Sequence, residues 1–125
     1  MRGSKADLPV ALAIEEGVIR MVDWGGMTIE YSTFTKGIDP SPLFKGLPND
    51  ECQCPHFGFV IKGRLRYTIG GREEVYSAGD VYYVPAGHTP VIEADTEYVE
   101  FSPAEELKKT MAVVERNFAA MQAAE

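Results

Sequence analysis

Every thiol and imidazole in this sequence lies in one of two short runs. Cys52, Cys54 and His56 stand in CQCPHFGFVIKG, from Cys52 to Gly63, and His88 stands in GDVYYVPAGHTP, from Gly79 to Pro90. Imidazole and thiolate are the side chains that suit first-row transition metals. Alternate side chains of an extended strand share a face. The spacing C-x-C-x-H therefore projects Cys52, Cys54 and His56 into one space, followed on that side by Gly58 and Val60. Pro55 disturbs this parity locally, because it donates no hydrogen bond and belongs at strand starts, edges or bulges. The expectation is that both runs line one pocket. Cys52, Cys54, His56 and His88 would then be metal ligands, with His88 also placed to move a proton near neutral pH.

Plainer roles stay open for the same residues. Free cysteines serve as small buried hydrophobes, and a histidine can be bonded to a core carbonyl or occupy a turn. A disulfide between Cys52 and Cys54 is disfavoured, since residues two apart in a strand are separated by roughly 6.5–7 Å at Cα, at the limit for a bridge. A redox-sensing thiol pair would need lowered thiol pKa values and solvent access.

A chain of 125 residues is one domain with room for a real core. A hydrophobic share of 45% and a charged share of 25% are those of an ordinary globular protein. The formal charge of -7 argues against nucleic-acid and anionic-membrane partners, which attract basic patches. LPVALAIEEG near the start is too short and too interrupted for a signal peptide or a membrane span. A cytoplasmic protein with reduced thiols is expected.

The elements that must position the chemistry read as many short strands. Residues 1–16 carry no strong strand pattern. GVIRMVDW and MTIEYSTFTKG flank Gly25-Gly26, and RLRYTI and REEVYS flank Gly70-Gly71, both tight hairpin signals. Between the hairpins, IDPSPLFKGLPNDE is a long proline-bearing loop that delivers the chain into Cys52. VYYVP resumes the strand pattern, with Tyr82 and Tyr83 on opposite faces. PVIEA and TEYVEF form a last hairpin across Asp95-Thr96. Regular short strands with Gly- and Pro-rich turns indicate a sandwich or barrel. The pattern does not fix whether Glu30, Glu97 and Glu100 face inward. Ser102, Pro103 and Glu105 spell a capped helix start. Leu107, Met111, Val114, Phe118 and Met121 then form one apolar stripe on a helix of roughly 18–20 residues, to cover an outer face of the barrel or also to pack on a second subunit.

The runs HFGFVIKG and Gly79-Asp80-VYYV-Pro85-Ala86-Gly87, at their separation, resemble the two motifs of the cupin superfamily. CQCPHFGFVIKG and VPAGHTP resemble a subgroup of small single-domain members, mostly actinobacterial. The resemblance implies an all-β fold, a small double-stranded β-helix or jelly-roll barrel over residues 17–102, preceded by the segment 1–16 and followed by a C-terminal helix over 103–125. Members of the family typically hold a divalent metal with three histidines and a glutamate, and this sequence departs from that set. His56 stands where the glutamate would be, Pro90 stands where the last histidine would be, and no histidine occupies the first motif's His-x-His positions near 49–52. The replacement set is Cys52, Cys54, His56 and His88, which points to zinc, with Phe57, Phe59, Tyr82 and Glu100 in the substrate pocket. The implied function is binding of a small molecule beside a divalent metal, with lyase, isomerase or hydrolytic chemistry, in a homodimer. The alternative is a metal-free binding or sensing module.

Overall fold

The computed structural model describes residues 1–124. Nine strands form two antiparallel sheets that close on each other. They are β1 (Val10–Ala13), β2 (Gly17–Trp24), β3 (Met27–Phe34), β4 (His56–Lys62), β5 (Arg64–Ile69), β6 (Arg72–Ser77), β7 (Val81–Val84), β8 (His88–Ile92) and β9 (Thr96–Pro103). The larger sheet runs β1-β2-β3-β9-β4-β7 and the smaller β6-β5-β8. One helix, α1 (Ala104–Ala123), follows β9 directly. This is the all-β, jelly-roll-like barrel with a terminal helix that the sequence implies.

Local chemistry accounts for most of the elements. The β2–β3 and β5–β6 hairpins turn at Gly25-Gly26 and Gly70-Gly71, whose φ values of 58°, 80°, 57° and 78° suit a two-residue turn that side chains would strain. Alternation sets the faces. In β4, His56, Gly58 and Val60 are buried, whereas Phe57, Phe59 and Ile61 are exposed. In β5, Leu65 and Tyr67 point inward, and in β7 Tyr82 and Val84 do, leaving Tyr83 outside. Val60, Leu65, Val84, Ile92 and Phe34 make the packed end of the interior. Each such side chain contributes about 1.5–3 kcal/mol by leaving water. Gly58 has a packing reason as well, since a Cβ there would lie 2.2 Å from the Tyr82 ring.

Two elements differ from the sequence reading. The first sixteen residues are not patternless in space: β1 pairs with β2, and Leu8 is buried. Four residues are too few for periodicity to announce a strand. The segments around Asp95-Thr96 are not a hairpin. β8 pairs with β5 in the small sheet, whereas β9 lies between β3 and β4 in the large one, so the chain changes sheets at Asp95. Two adjacent apolar runs look alike whether they pair with each other or with distant partners.

The helix also begins differently. Its N-cap is Pro103, with no side-chain cap bond, because the Ser102 side chain is used elsewhere. Glu105 and Glu106 in the first turn still favour the positive end of the helix dipole. The apolar stripe does not simply cover an outer face. It faces the turn at Ser41–Phe44 and the open end of the barrel, where Asn117 Nδ2 donates to Leu43 O (2.7 Å) and Lys45 O (2.8 Å). No described helix is long and apolar enough to cross a membrane.

Candidate metal centre

Cys52 lies in the loop before β4, where the sequence predicts the strand has already begun. A two-way backbone bridge holds it: Cys52 N donates to His88 O (2.9 Å), and Gly87 N and His88 N donate to Cys52 O (2.8 and 3.2 Å). The two chemical runs are thus stitched together at Cys52 and His88. Four residues on, His56 opens β4 with its ring inward, and the His56 and His88 rings sit edge to face with centroids 4.8 Å apart. Cys52 Sγ is 3.7 Å from His56 Nε2. The ligand atoms of Cys52, His56 and His88 all lie within 4.8 Å of one another, and all three residues are buried.

The outer nitrogens of both rings are committed. His56 Nδ1 is 2.7 Å from Ser102 Oγ. His88 Nδ1 donates to Pro85 O at 2.7 Å, which places the proton on Nδ1 and leaves the Nε2 lone pair free. That Nε2 is buried and has no hydrogen-bond partner. A buried polar nitrogen without a partner costs about 1–3 kcal/mol, and the ring that carries it packs against the second imidazole beside the Cys52 thiol. An imidazole whose far nitrogen is fixed by a carbonyl or hydroxyl is the usual form of a metal-bound histidine. A thiol and two imidazoles are a donor set that fits a transition-metal cation.

Burial governs the charges. Both histidines are pushed down to about 4, His56 by burial against the pull of Glu30, and His88 by burial and the neighbouring His56. Both are neutral at pH 7 and carry free lone pairs. Burial pushes Cys52 up to about 11, so it is a thiol unless a cation displaces its proton. A redox-sensing thiol pair is unsupported, because Cys54 too is fully buried and pushed up to about 12 by burial and the Cys52 sulfur.

The structure does not bring all the expected residues together. Cys54 is outside the cluster: its sulfur faces the carbonyls of Pro55 and Pro103, and the residue packs with Phe44 and Leu107. The chain is not a continuous strand from Cys52 to Pro55, so Cys52 and His56 reach the cavity whereas Cys54 is buried in packing beside it. Phe57 and Phe59 are not in the pocket either. They are 53% and 37% exposed on the outer face of the large sheet, since the alternation that turns His56 inward turns them outward. Glu100 does reach the interior, where its Oε2 accepts from Tyr67 (2.5 Å) and Tyr82 (2.6 Å) and its Oε1 lies 3.9 Å from His56 Nδ1. Tyr82 is buried and supports Glu100 from behind.

Four further residues complete the interior. Ser102 orients His56. Glu30 pairs in register with Glu100 across β3 and β9, and accepts from Ser32 Oγ at 2.6 Å. Its pKa is pushed up to about 7 by burial first and by Glu100 second. Tyr98 is fully enclosed beside Glu30, and Thr110 of α1 faces Cys52 Sγ at 4.0 Å. Glu30 was legible in principle, since Thr28, Glu30, Ser32 and Phe34 alternate in step and end on a buried phenylalanine. Ser102 was hidden by its resemblance to a helix cap. Glu97 instead faces outward, where Lys5, Tyr31 and Thr33 hold its carboxylate below the ordinary range against its burial.

The cluster opens into a cavity of about 810 Å³. Its inner wall is polar, made by Cys52, His56, His88, Glu30, Glu100 and Tyr98. Its outer walls are apolar, from Ile14 and Ile19 on one side to Phe44 and the α1 stripe on the other.

Comparisons with known proteins agree with this architecture. Residues 50–98 match the family described as cupin domain. No curated protein matches the sequence. Among solved structures, an RmlC-like cupin from Shewanella frigidimarina NCIMB 400 superposes with a TM-score of 0.57 at 16% identity, over 81% of this chain and 88% of that one. The polyketide cyclase RemF from Streptomyces resistomycificus superposes with a TM-score of 0.58 at 12% identity, over 82% and 78%. KdgF from Halomonas sp. does so with a TM-score of 0.52 at 15% identity, over 82% and 94%. At these identities the likeness is one of fold. Residues 50–98, which span both chemical runs, match the cupin domain, and the barrel that closes around them has the cupin fold.

Proposed function

We propose that the protein is a metal-dependent cupin that holds one divalent cation, zinc, through Cys52 Sγ, His56 Nε2 and His88 Nε2, and binds a small organic molecule beside it. The observation that carries this reading is the buried, unpartnered His88 Nε2 on a residue that offers a ligand atom within 4.8 Å of those of Cys52 and His56. Three protein ligands and an open side toward a cavity are the pattern of a catalytic zinc site rather than a closed structural one. Bound there, the cation would supply Lewis acidity for lyase, isomerase or hydrolytic chemistry.

The chain's own groups do the rest. Ser102 and Pro85 O fix the ring orientations, and the apolar walls exclude water. His88 has one free nitrogen and cannot both ligate a cation and carry a proton, so we assign it the ligand role. Proton transfer passes to Glu30, whose carboxyl titrates near neutrality on the cavity wall. Tyr67 and Tyr82 hold Glu100 in place beneath it.

Metal analysis of purified wild-type protein, Cys52→Ser and His56→Ala tests the assignment. One zinc per chain in the wild type and a loss in both variants is expected; equal metal content in all three would overturn it. The size of the cavity favours a second reading, a metal-free module that stores or senses a ligand, and equal metal content would leave that one standing. We also propose a cytoplasmic setting, where a thiol ligand would stay reduced.

We further propose a homodimer through the outer face of β7, β4 and β9. There Val81 (79% exposed), Phe57, Tyr83, Phe59 and Phe101 form a contiguous apolar patch, with Phe57 directly opposite both Tyr83 and Phe101. Five such side chains leave several hundred Å² of apolar surface, the upper end of what monomers expose. A patch whose own side chains carry no charge is also where two copies of an acidic chain meet with least repulsion.

A further inference from the structure

The cavity's charge pattern restricts what can enter it. Six acidic residues line it: Glu30 and Glu100 at the inner wall, and Glu15, Glu16, Asp39 and Glu115 toward the mouth. Among the described residues, none that line it is a lysine or arginine. Without a bound cation, a carboxylate or phosphate entering this space would leave water with no lysine or arginine to meet it and would face carboxyls at both ends, a cost that burial does not repay. The side walls carry Ile14, Ile19, Phe34, Ile38, Leu107 and Val114, which reward an apolar body. A volume of about 810 Å³ is within the range of sites that enclose a drug-sized molecule.

We infer that the ligand is a predominantly apolar molecule, uncharged or cationic, whose hydroxyl or amine head reaches the Glu30–Glu100 wall while its body lies against β1, β2 and α1. In the chelator-treated protein, sugar phosphates, nucleotides and carboxylic acids are disfavoured as a class. The residues that set this specificity are distinct from the proposed cation ligands: Glu30 selects the head, and Met111 and Val114 on α1 shape the space for the body. This deepens the reading of the cavity as a ligand site, but it does not require the metal.

Three isosteric probes separate the possibilities: 2-naphthalenemethanol, 2-naphthalenemethylamine and 2-naphthoate, titrated by fluorescence into the full chain after chelator treatment and again after zinc loading. Before zinc loading, the alcohol and the amine are expected to bind at least tenfold more tightly than the carboxylate. Glu30→Gln should reduce the preference for the amine. Met111→Trp and Val114→Phe, which fill the space from two positions, should each weaken the alcohol at least tenfold with unchanged circular dichroism. Naphthoate binding as tightly as the alcohol before zinc loading, no binding of any probe, or full affinity in both filled variants would overturn the inference. Zinc content measured on the same samples decides the metal separately. Alcohol binding without zinc uptake sinks the metal reading and leaves this one, and zinc uptake without alcohol binding does the reverse.

Discussion

Ser102 Oγ lies 2.7 Å from His56 Nδ1, deep inside the barrel and just before the helix whose cap the serine would otherwise form. The helix gives up its side-chain cap, and the imidazole gains a fixed orientation. Such partners of metal-bound histidines are worth about 10–100-fold in metal affinity. Ser102→Ala should therefore weaken zinc binding by about that factor, measured by competition with a chromophoric chelator. A loss of helix content without loss of zinc affinity would assign the serine to the helix instead.

The two cysteines should part company. Cys52→Ser is expected to abolish stoichiometric zinc uptake. Cys54→Ser should retain it and lose about 1–3 kcal/mol of stability, because a hydroxyl replaces a fully buried thiol that packs on Phe44 and Leu107. Metal content together with urea denaturation of both variants checks this pair of outcomes.

Zinc affinity should rise with pH with a definite slope. The histidines are already neutral above about pH 5, since their pKa values are pushed down to about 4, whereas the Cys52 thiol holds its proton up to about 11. Binding then releases one proton, and the apparent association constant grows about tenfold per pH unit between about pH 6 and 9. A slope near two would mean that a second ligand is protonated in this range.

Glu30 gives a stability prediction of opposite sign to that of a salt-bridged carboxylate. Its folded pKa of about 7 lies above its ordinary 4.5, so the folded carboxyl keeps a proton that the unfolded one has lost. Its contribution is complete below about pH 4.5 and is lost as pH rises toward 7. Glu30→Gln should thus be more stable than wild type by about 2 kcal/mol at pH 8, with the difference vanishing by pH 4.5. The full shift would give more, but the cavity leaves this carboxyl partly accessible. Thermal or urea unfolding at the two pH values measures it.

Much of this architecture could be read from the chain, and the exceptions have physical causes. Glycine pairs marked both tight hairpins because few other residues tolerate positive φ at two successive positions. Alternation put His56 on one side with Gly58 and Val60, and Tyr82 and Tyr83 on opposite faces, as they are. The same alternation, carried one residue further, puts Phe57 and Phe59 outside; aromatic character alone suggested a pocket wall. Cys54 went astray because the chain before His56 is not a continuous strand, so the strand rule lapses there. Cys52 reaches the interior through its bridge to His88, a contact across 36 positions that no local pattern encodes. The fate of β9, paired with β3 and β4 rather than β8, is equally non-local.

The outer sheet face offers an independent check on assembly. Val81→Lys combined with Phe101→Glu should convert a dimer to a monomer in sedimentation velocity, without altering zinc content, because both side chains point away from the interior. A wild-type monomer would remove the interface and leave the cavity untouched.

The account rests on three donors meeting at one point, and X-ray absorption at the zinc edge of the loaded protein measures that meeting directly. It predicts one sulfur at about 2.3 Å and two imidazole nitrogens at about 2.0–2.1 Å, with any remaining position filled by a light atom. A spectrum without a sulfur neighbour, or with two, would contradict it.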